Sequence, residues 1–438
     1  MRRKFDLKNL EADKIALLGL FVLALLIAYF IVSVKSAVVF SEPIELAHTG
    51  LSISVPIGNG WQSEKKWQYQ HNGYTLSSSF TAGSDRPTAW VYCRYMLAAE
   101  AISPQKWFEL KAAEIDGTIV KVNQERINAL MIDWVHIEKP ELLFDTFLGA
   151  VELPDNRRLN IEVSHQMTSE IGLAEKVFRQ IVGSMNFEDN RLLNAGIEIV
   201  TAVKNRGIGG FLENQNRQTY FLIKDEGQQT VGFMIDILVD SERDAPFNIQ
   251  AAGHIYGQRL TEQATLFRCK NNLDEFVWQS ETNNDSGRNH IEIILSKMGS
   301  LEIVDSQAKT RIEYAVGPAA IPDIFLEQVL FQMLENNVQK IIVDIINAEG
   351  KVIPTLVSVV GDAENIAAGK DFVYAFKLDF LDGRGFFQTV YLNGNRQIAG
   401  ATIQQKDRFI LESTNIETIE SQFPERADFV SQRNRMLK

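Results

Sequence analysis

The chain has 438 residues, 45% of them hydrophobic and 23% charged, enough for two or three ordinary domains with well-filled cores. Residues 41–438 carry 38 basic and 53 acidic side chains, a balance that argues against nucleic acid and anionic lipid head groups, both of which call for basic patches. Two cysteines, Cys93 in "WVYCRYM" and Cys269 in "TLFRCKN", are too few for a disulfide scaffold and read as small buried hydrophobes in strand-like settings.

The chain opens with a charged leader, residues 1–14, followed by "IALLGLFVLALLIAYFIVSV". As a helix, residues 15–34 would reach roughly 30 Å, the thickness of a bilayer's hydrocarbon core. A cleavable signal has a shorter apolar stretch and small residues at the cut, and Lys35 interrupts that pattern here. The run is therefore read as a retained signal-anchor, a single-pass transmembrane helix. Arg2, Arg3, Lys4, Lys8 and Lys14 precede it and Lys35 follows, which predicts a cytoplasmic N-terminus. The bulk of the chain would then be periplasmic, held at the inner membrane.

Residues 45–190 carry, from Leu51, "LSISVPIGNGWQ", an alternating strand stopped by Pro56 and a glycine turn. Ser103 and Pro104 start a helix, "PQKWFELKAAEID", with Gly117 expected to take its left-handed stop. Strands are expected in "RINALMIDWVHIE", "LFDTFLGAVEL" and "RLNIEVSHQ", the last alternating cleanly between a dry and a wet face. "EIGLAEKVFRQIVGSM" closes the domain with Ile171, Ala174, Val177, Ile181 and Met185 on one helical stripe. Strands, helix, strands, helix is an α+β order. On these elements residues 45–190 resemble the PsbP-like α/β/α sandwich, found also in bacterial envelope proteins. The resemblance implies an extrinsic or binding subunit and brings no catalytic set.

Residues 191–217 read as a helical linker closed by Asn205 and Gly207. Its glycines at 207, 209 and 210 lack the preceding strand and following helix of a phosphate loop. From 218 to 424, EG, DG and NG dipeptides separate alternating runs, the local sign of sequential antiparallel hairpins. "PDIFLEQVLFQMLENN" interrupts them as one very apolar helix, best buried by a sheet curled around it. This order resembles the half-barrel of the lipoprotein carriers LolA and LolB, which implies an apolar groove; a filled core would show the same sequence. Phe325, Phe376, Phe380 and Trp278 are the candidate groove residues. Residues 425–438 form a polar tail.

The complete reading is α+β: an N-terminal transmembrane helix, then an antiparallel sheet with flanking helices, then a β-rich curved antiparallel sheet, half-barrel-like, packed on one helix. The six histidines stand at no metal spacing, and H-E-x-x-H, G-x-S-x-G and Walker loops are missing from the text. His136 and His165 could face each other across strands, and Asp323 with Glu327 or Glu417 with Glu420 read as solvated helix faces or as favourable charges near a helix N-terminus. No catalytic residue, metal or cofactor is assigned. The expected function is a non-enzymatic binding or assembly protein of the cell envelope, holding a lipid or other apolar group in the C-terminal groove. Its partners would be the membrane, through the N-terminal helix, and envelope proteins, but no nucleic acid. The alternatives are a structural or interaction subunit of an envelope complex and an envelope hydrolase with an unrecognised site.

Overall fold

The computed structural model describes residues 17, 19–25 and 38–424, apart from 71, 82–86, 98, 101, 129, 140–143, 155–156, 167–171, 189, 208–216, 240–246, 257–258, 271–272, 285–286, 298 and 361–371. Eight strands of the first half make one antiparallel sheet. They are β1 (Trp61–Ser63), β2 (Gln68–Tyr69), β3 (Gly73–Phe80), β4 (Ala89–Met96), β5 (Thr118–Ile127), β6 (Leu130–Lys139), β7 (Phe144–Leu153) and β8 (Arg157–Gln166). Their spatial order is β5-β6-β7-β8-β4-β3-β1, with β2 paired to β3.

Alternation gives this sheet two dry faces. Val135, Ile137, Leu148 and Ala150 point to one, under Phe108 and Ala112 of α1 (Pro104–Glu114). Trp134, Phe147, Ile161 and Val163 point to the other, under Val177, Phe178 and Ile181 of α2 (Leu173–Ser184). Ser103 caps α1 by accepting from the Lys106 N–H at 3.2 Å. Asp116, at φ 53, takes the left-handed position after α1. Gly117 is needed for room instead, since a Cβ there would stand 2.5 Å from Ile137 Cγ2.

The second half is a single sheet of 16 strands. Fifteen of them, in chain order, are β9 (Arg217–Lys224), β10 (Thr230–Val239), β11 (Phe247–Tyr256), β12 (Arg259–Cys269), β13 (Phe276–Asn284), β14 (Gly287–Leu295), β15 (Ser300–Asp305) and β16 (Thr310–Ala315), followed by β17 (Ala320–Pro322), β18 (Lys340–Ile346), β19 (Val352–Val360), β20 (Phe372–Phe380), β21 (Phe387–Asn393), β22 (Ile398–Gln404) and β23 (Arg408–Thr414). Neighbours run β17 through β23, then β9 through β16, and the strand Ala99–Glu100 from the first half pairs with β16. The EG, DG and NG turns at 349–350, 382–383 and 393–394 lie between β18 and β19, β20 and β21, and β21 and β22.

Two limbs of this sheet close on the same helices. Phe267, Trp278 and Ile293 from β12–β14, and Val357, Phe376, Leu378 and Val390 from β19–β21, share one core with α3 (Arg191–Arg206) and α4 (Leu326–Glu335). Burying each such side chain stabilises by roughly 1.5–3 kcal/mol, which is what holds a sheet this wide in a curl.

The two halves are joined by buried polar contacts. Arg157 of β8 donates to the Tyr95 hydroxyl at 3.0 Å and to Asp344 of β18 at 2.9 Å, and both members of that ion pair are almost sealed from solvent. The Tyr69 hydroxyl donates to the Val352 carbonyl at 3.0 Å, and Asn72 Oδ1 accepts from the Val352 N–H at 3.2 Å. Tyr74 donates its hydroxyl to the Leu381 carbonyl.

Two expectations are corrected. The α+β assignment gives way to a mostly β protein, in which 73–80 and 118–127 are further strands of eight and ten residues and one sheet of the second half has 16 strands. The membrane reading falls as well: among the described residues no helix is long and apolar enough to cross a membrane. The transmembrane, signal-anchor and single-pass inner-membrane assignments, and the periplasmic location drawn from them, are therefore withdrawn. Residues 15, 16, 18 and 26–34, the leader 1–14 and the tail 425–438 lie outside the described residues.

Candidate functional site: a carboxylate-lined concavity of the large sheet

Strand β10 fixes which way the inner face looks. Phe233, Ile235 and Ile237 are buried outside, against Ile419 and Phe423 at α5 (Ile416–Gln422), so period-two alternation turns Met234 and Asp236 inward. Register extends that face across the sheet. Asp236 stands opposite Thr219 of β9 and Gln250 of β11, Gln250 opposite Thr265 of β12, and Thr265 opposite Ser280 of β13. Thr265 shares its face with Phe267, whose ring meets Phe325 edge-on at 5.3 Å. Thr265 thus lies on the face that meets the start of α4.

Asp323, in the 3₁₀ turn Asp323–Phe325, faces this row from the helix side. Its carboxyl is pushed up from 3.8 to about 7, chiefly by desolvation, with the Asp236 carboxylate adding to the rise and the Ile324 backbone opposing it. Protein surrounds Asp323 deeply, yet it keeps accessible surface, as do Asp236 and Met234.

Four polar atoms on these surfaces have no hydrogen-bond partner: Thr265 Oγ1, Trp278 Nε1, Asn289 Oδ1 and Gln328 Oε1. Thr265 is 6% exposed and Gln328 3%. Asn289 stands opposite Thr282, two residues along β13 from Ser280 and so on the same face. Each unmet buried group costs about 1–3 kcal/mol, and native interiors hold few of them. Glu327 differs, since its Oε2 accepts from the Ile398 N–H at 2.8 Å. Of the two readings of Asp323 and Glu327, the solvated face is corrected, since Asp323 lies deep and Glu327 is buried, while both do stand in the first turn of their helices.

The four candidate groove residues are distributed as follows. Trp278, Phe325 and Phe376 have no accessible surface and belong to one core. Phe267 bridges Trp278 and Phe325, at 5.8 and 5.3 Å between ring centroids. Phe376 and Phe380 are on the other limb, with Phe380 half-buried opposite Thr355. Sequence reasoning missed Asp236, Thr265 and Gln328, and named Asp323 only as a helix carboxylate. The available signal was one carboxylate inside the apolar run "GFMIDILV".

Other chemistry-bearing groups fall elsewhere. His136 contacts Asp145 through Nε2, lies 3.9 Å from Glu138, and stacks on Phe147 at 4.4 Å. His165 stands opposite Asp145 on the far side, so the two histidines flank one buried carboxylate. The nearby hydroxyls of Thr146 and Ser164 bond each other at 2.9 Å and, by alternation, belong to the opposite face. Cys93 and Cys269 sit in different cores, are not joined by a disulfide, and have thiols pushed up to about 12 by burial. Among the described residues no three His, Cys, Asp or Glu side chains are placed to hold a metal ion. An open hollow of about 380 Å³ lies at the rim of β12–β14, beside Arg268, Lys270, Glu275, Phe276 and Val277. None of the concavity's polar row lines it, so the two are separate features.

No family model matches the chain, and no curated protein matches it. Among solved structures, it is similar to a beta-barrel-like protein of the domain of unknown function DUF1849 from Brucella abortus, at 15% identity, over 45% of this chain and 95% of that one, with a TM-score of 0.37. It is also similar to a DUF1089 family protein from Pseudomonas aeruginosa, at 11% identity, over 39% of this chain and 89% of that one, with a TM-score of 0.25. The PsbP-like and LolA/LolB resemblances are not confirmed by these comparisons. At such TM-scores the likeness carries no argument, and what stands is a similarity to barrel-like domains of unknown function.

Proposed function

We propose that this protein is a non-enzymatic binding protein that holds a small amphipathic molecule between α4 and the inner face of β9–β13. The observation carrying this reading is the set of unmet polar atoms, Thr265 Oγ1 and Gln328 Oε1 foremost, beside the Asp323 carboxyl, which stays accessible at depth. Concave sites with apolar walls and a few convergent polar groups are the usual form of small-molecule pockets. Phe267, Phe325 and Trp278 supply the apolar wall. A non-catalytic role is supported by His136, whose imidazole is held by a buried carboxylate on a face away from the neighbouring hydroxyls.

The test is to extract the purified full chain with organic solvent and to titrate it with a fluorescent fatty acid and with the neutral dye N-phenyl-1-naphthylamine. A co-purified small molecule in stoichiometric amount, or saturable binding of a probe, is expected. An empty extract together with no binding of either probe would overturn the reading.

A further inference from the structure

Strand β5 ends its sheet: among the described residues it bonds to β6 on one side and to no strand on the other. Its hairpin with β6 closes on the pair Ile127–Leu130. A pair that closes a two-residue hairpin is hydrogen-bonded, and bonded and non-bonded pairs alternate along an antiparallel ladder. Asn123, Glu125 and Ile127 therefore turn their N–H and C=O groups toward β6, whereas Val122, Gln124 and Arg126 turn theirs outward. The register slips between Ile119 and Lys121, so the regular stretch is residues 121–127. Val122 is 64% exposed there, Val120 beside it 48%, and Met131, across from Arg126 on β6, 48%. A strand edge with open backbone groups and exposed apolar side chains is a template for another strand.

We propose that β5 pairs antiparallel with β5 of a second copy of this chain, about a two-fold axis at Asn123. Charge selects this occupant and this register. With the axis at Asn123, Lys121 of each copy lies opposite Glu125 of the other, and the outward N–H and C=O groups of Val122 meet those of Gln124. The Lys–Glu pairs fall at non-hydrogen-bonded positions of the new ladder, where facing side chains are closest. An axis at Val122 sets Lys121 against Asn123, one at Gln124 sets Lys121 against Ile127, and one at Glu125 sets that carboxylate against itself. Lys121 is exposed, with its Nζ 5.1 Å from the centre of the Trp134 ring. Glu125 takes Arg179 at 3.3 Å through Oε1, and a carboxylate accepts at both oxygens. One patch that complements itself is the form of a two-fold interface.

The experiment is sedimentation equilibrium of the full chain across a range of concentrations, where a monomer–dimer equilibrium is expected. Lys121→Glu and Glu125→Lys should each weaken the dimer about tenfold, because two facing attractions become two repulsions, and the double swap should restore the wild-type affinity. Gln124→Pro should weaken it as well, since it removes an outward N–H and none that bonds to β6. A wild-type chain that stays monomeric would overturn the proposal and leave the edge to a different partner. Dimers indifferent to the single changes, or not restored by the double swap, would place the contact elsewhere and overturn it too. The double swap and Gln124→Pro decide the matter even where a single charge reversal fails to fold.

Discussion

Arg157 carries a charge that is 3% exposed, and it is tolerated because Tyr95 and Asp344 take its hydrogen bonds. Removing one partner would strand the other in low dielectric. Arg157→Ala is therefore expected to lower unfolding free energy by about 3–5 kcal/mol, measured by urea denaturation, whereas Arg157→Met with Asp344→Leu should cost less than the single change. Asp323 works in the opposite direction. Its carboxyl ionises near 3.8 when unfolded and near 7 when folded, so between those values the folded chain keeps a proton that the unfolded chain gives up. Stability contributed by this group is full below pH 3.8 and is lost as pH rises toward 7. The melting temperature of the wild type should fall over that range relative to Asp323→Asn; parallel profiles for the two would mean the folded carboxyl is not raised. Neither role could be read from sequence, because an aspartate in "IPDIF" looks the same whether water or Asp236 lies beside it.

At the scale of elements, legibility followed the strength of local chemistry. The hairpins at 349–350, 382–383 and 393–394 were readable because their dipeptides suit tight turns. The start of α1 was readable from Ser103 and Pro104. Strand β5 was not, since it is an edge strand exposed on both sides and its apolar residues follow no face. Strand β3 was hidden by its serines, one of which, Ser78, is buried and donates to the Pro56 carbonyl at 2.7 Å. Helix α3 shows the limit of reading a glycine from sequence alone. Gly196 sits mid-helix, where a Cβ would fall 1.8 Å from the Ile342 carbonyl oxygen of β18. Gly196→Ala should therefore cost about 1–3 kcal/mol despite alanine's better helix propensity, read as a lowered melting temperature. Equal or higher stability would show that α3 does not press on β18 at that point.

For the whole molecule, the governing feature is a sheet wide enough to close two limbs on α3 and α4 and still leave its middle strands facing the start of α4 with polar groups. The curl could be anticipated from one very apolar helix among many strands. The site could not, because it depends on a register that sets Asp236 and Thr265 in one row, and register follows from pairings far apart in the chain. The candidate residues named from sequence were aromatic because apolar patterning is visible locally, whereas the polar row is visible only after folding. The most direct test is a crystal structure of the full chain. It is expected to show an open space between α4 and the inner face of β9–β13, beside Phe267 and Phe325, that holds a guest molecule. A space filled by the protein's own side chains would contradict it.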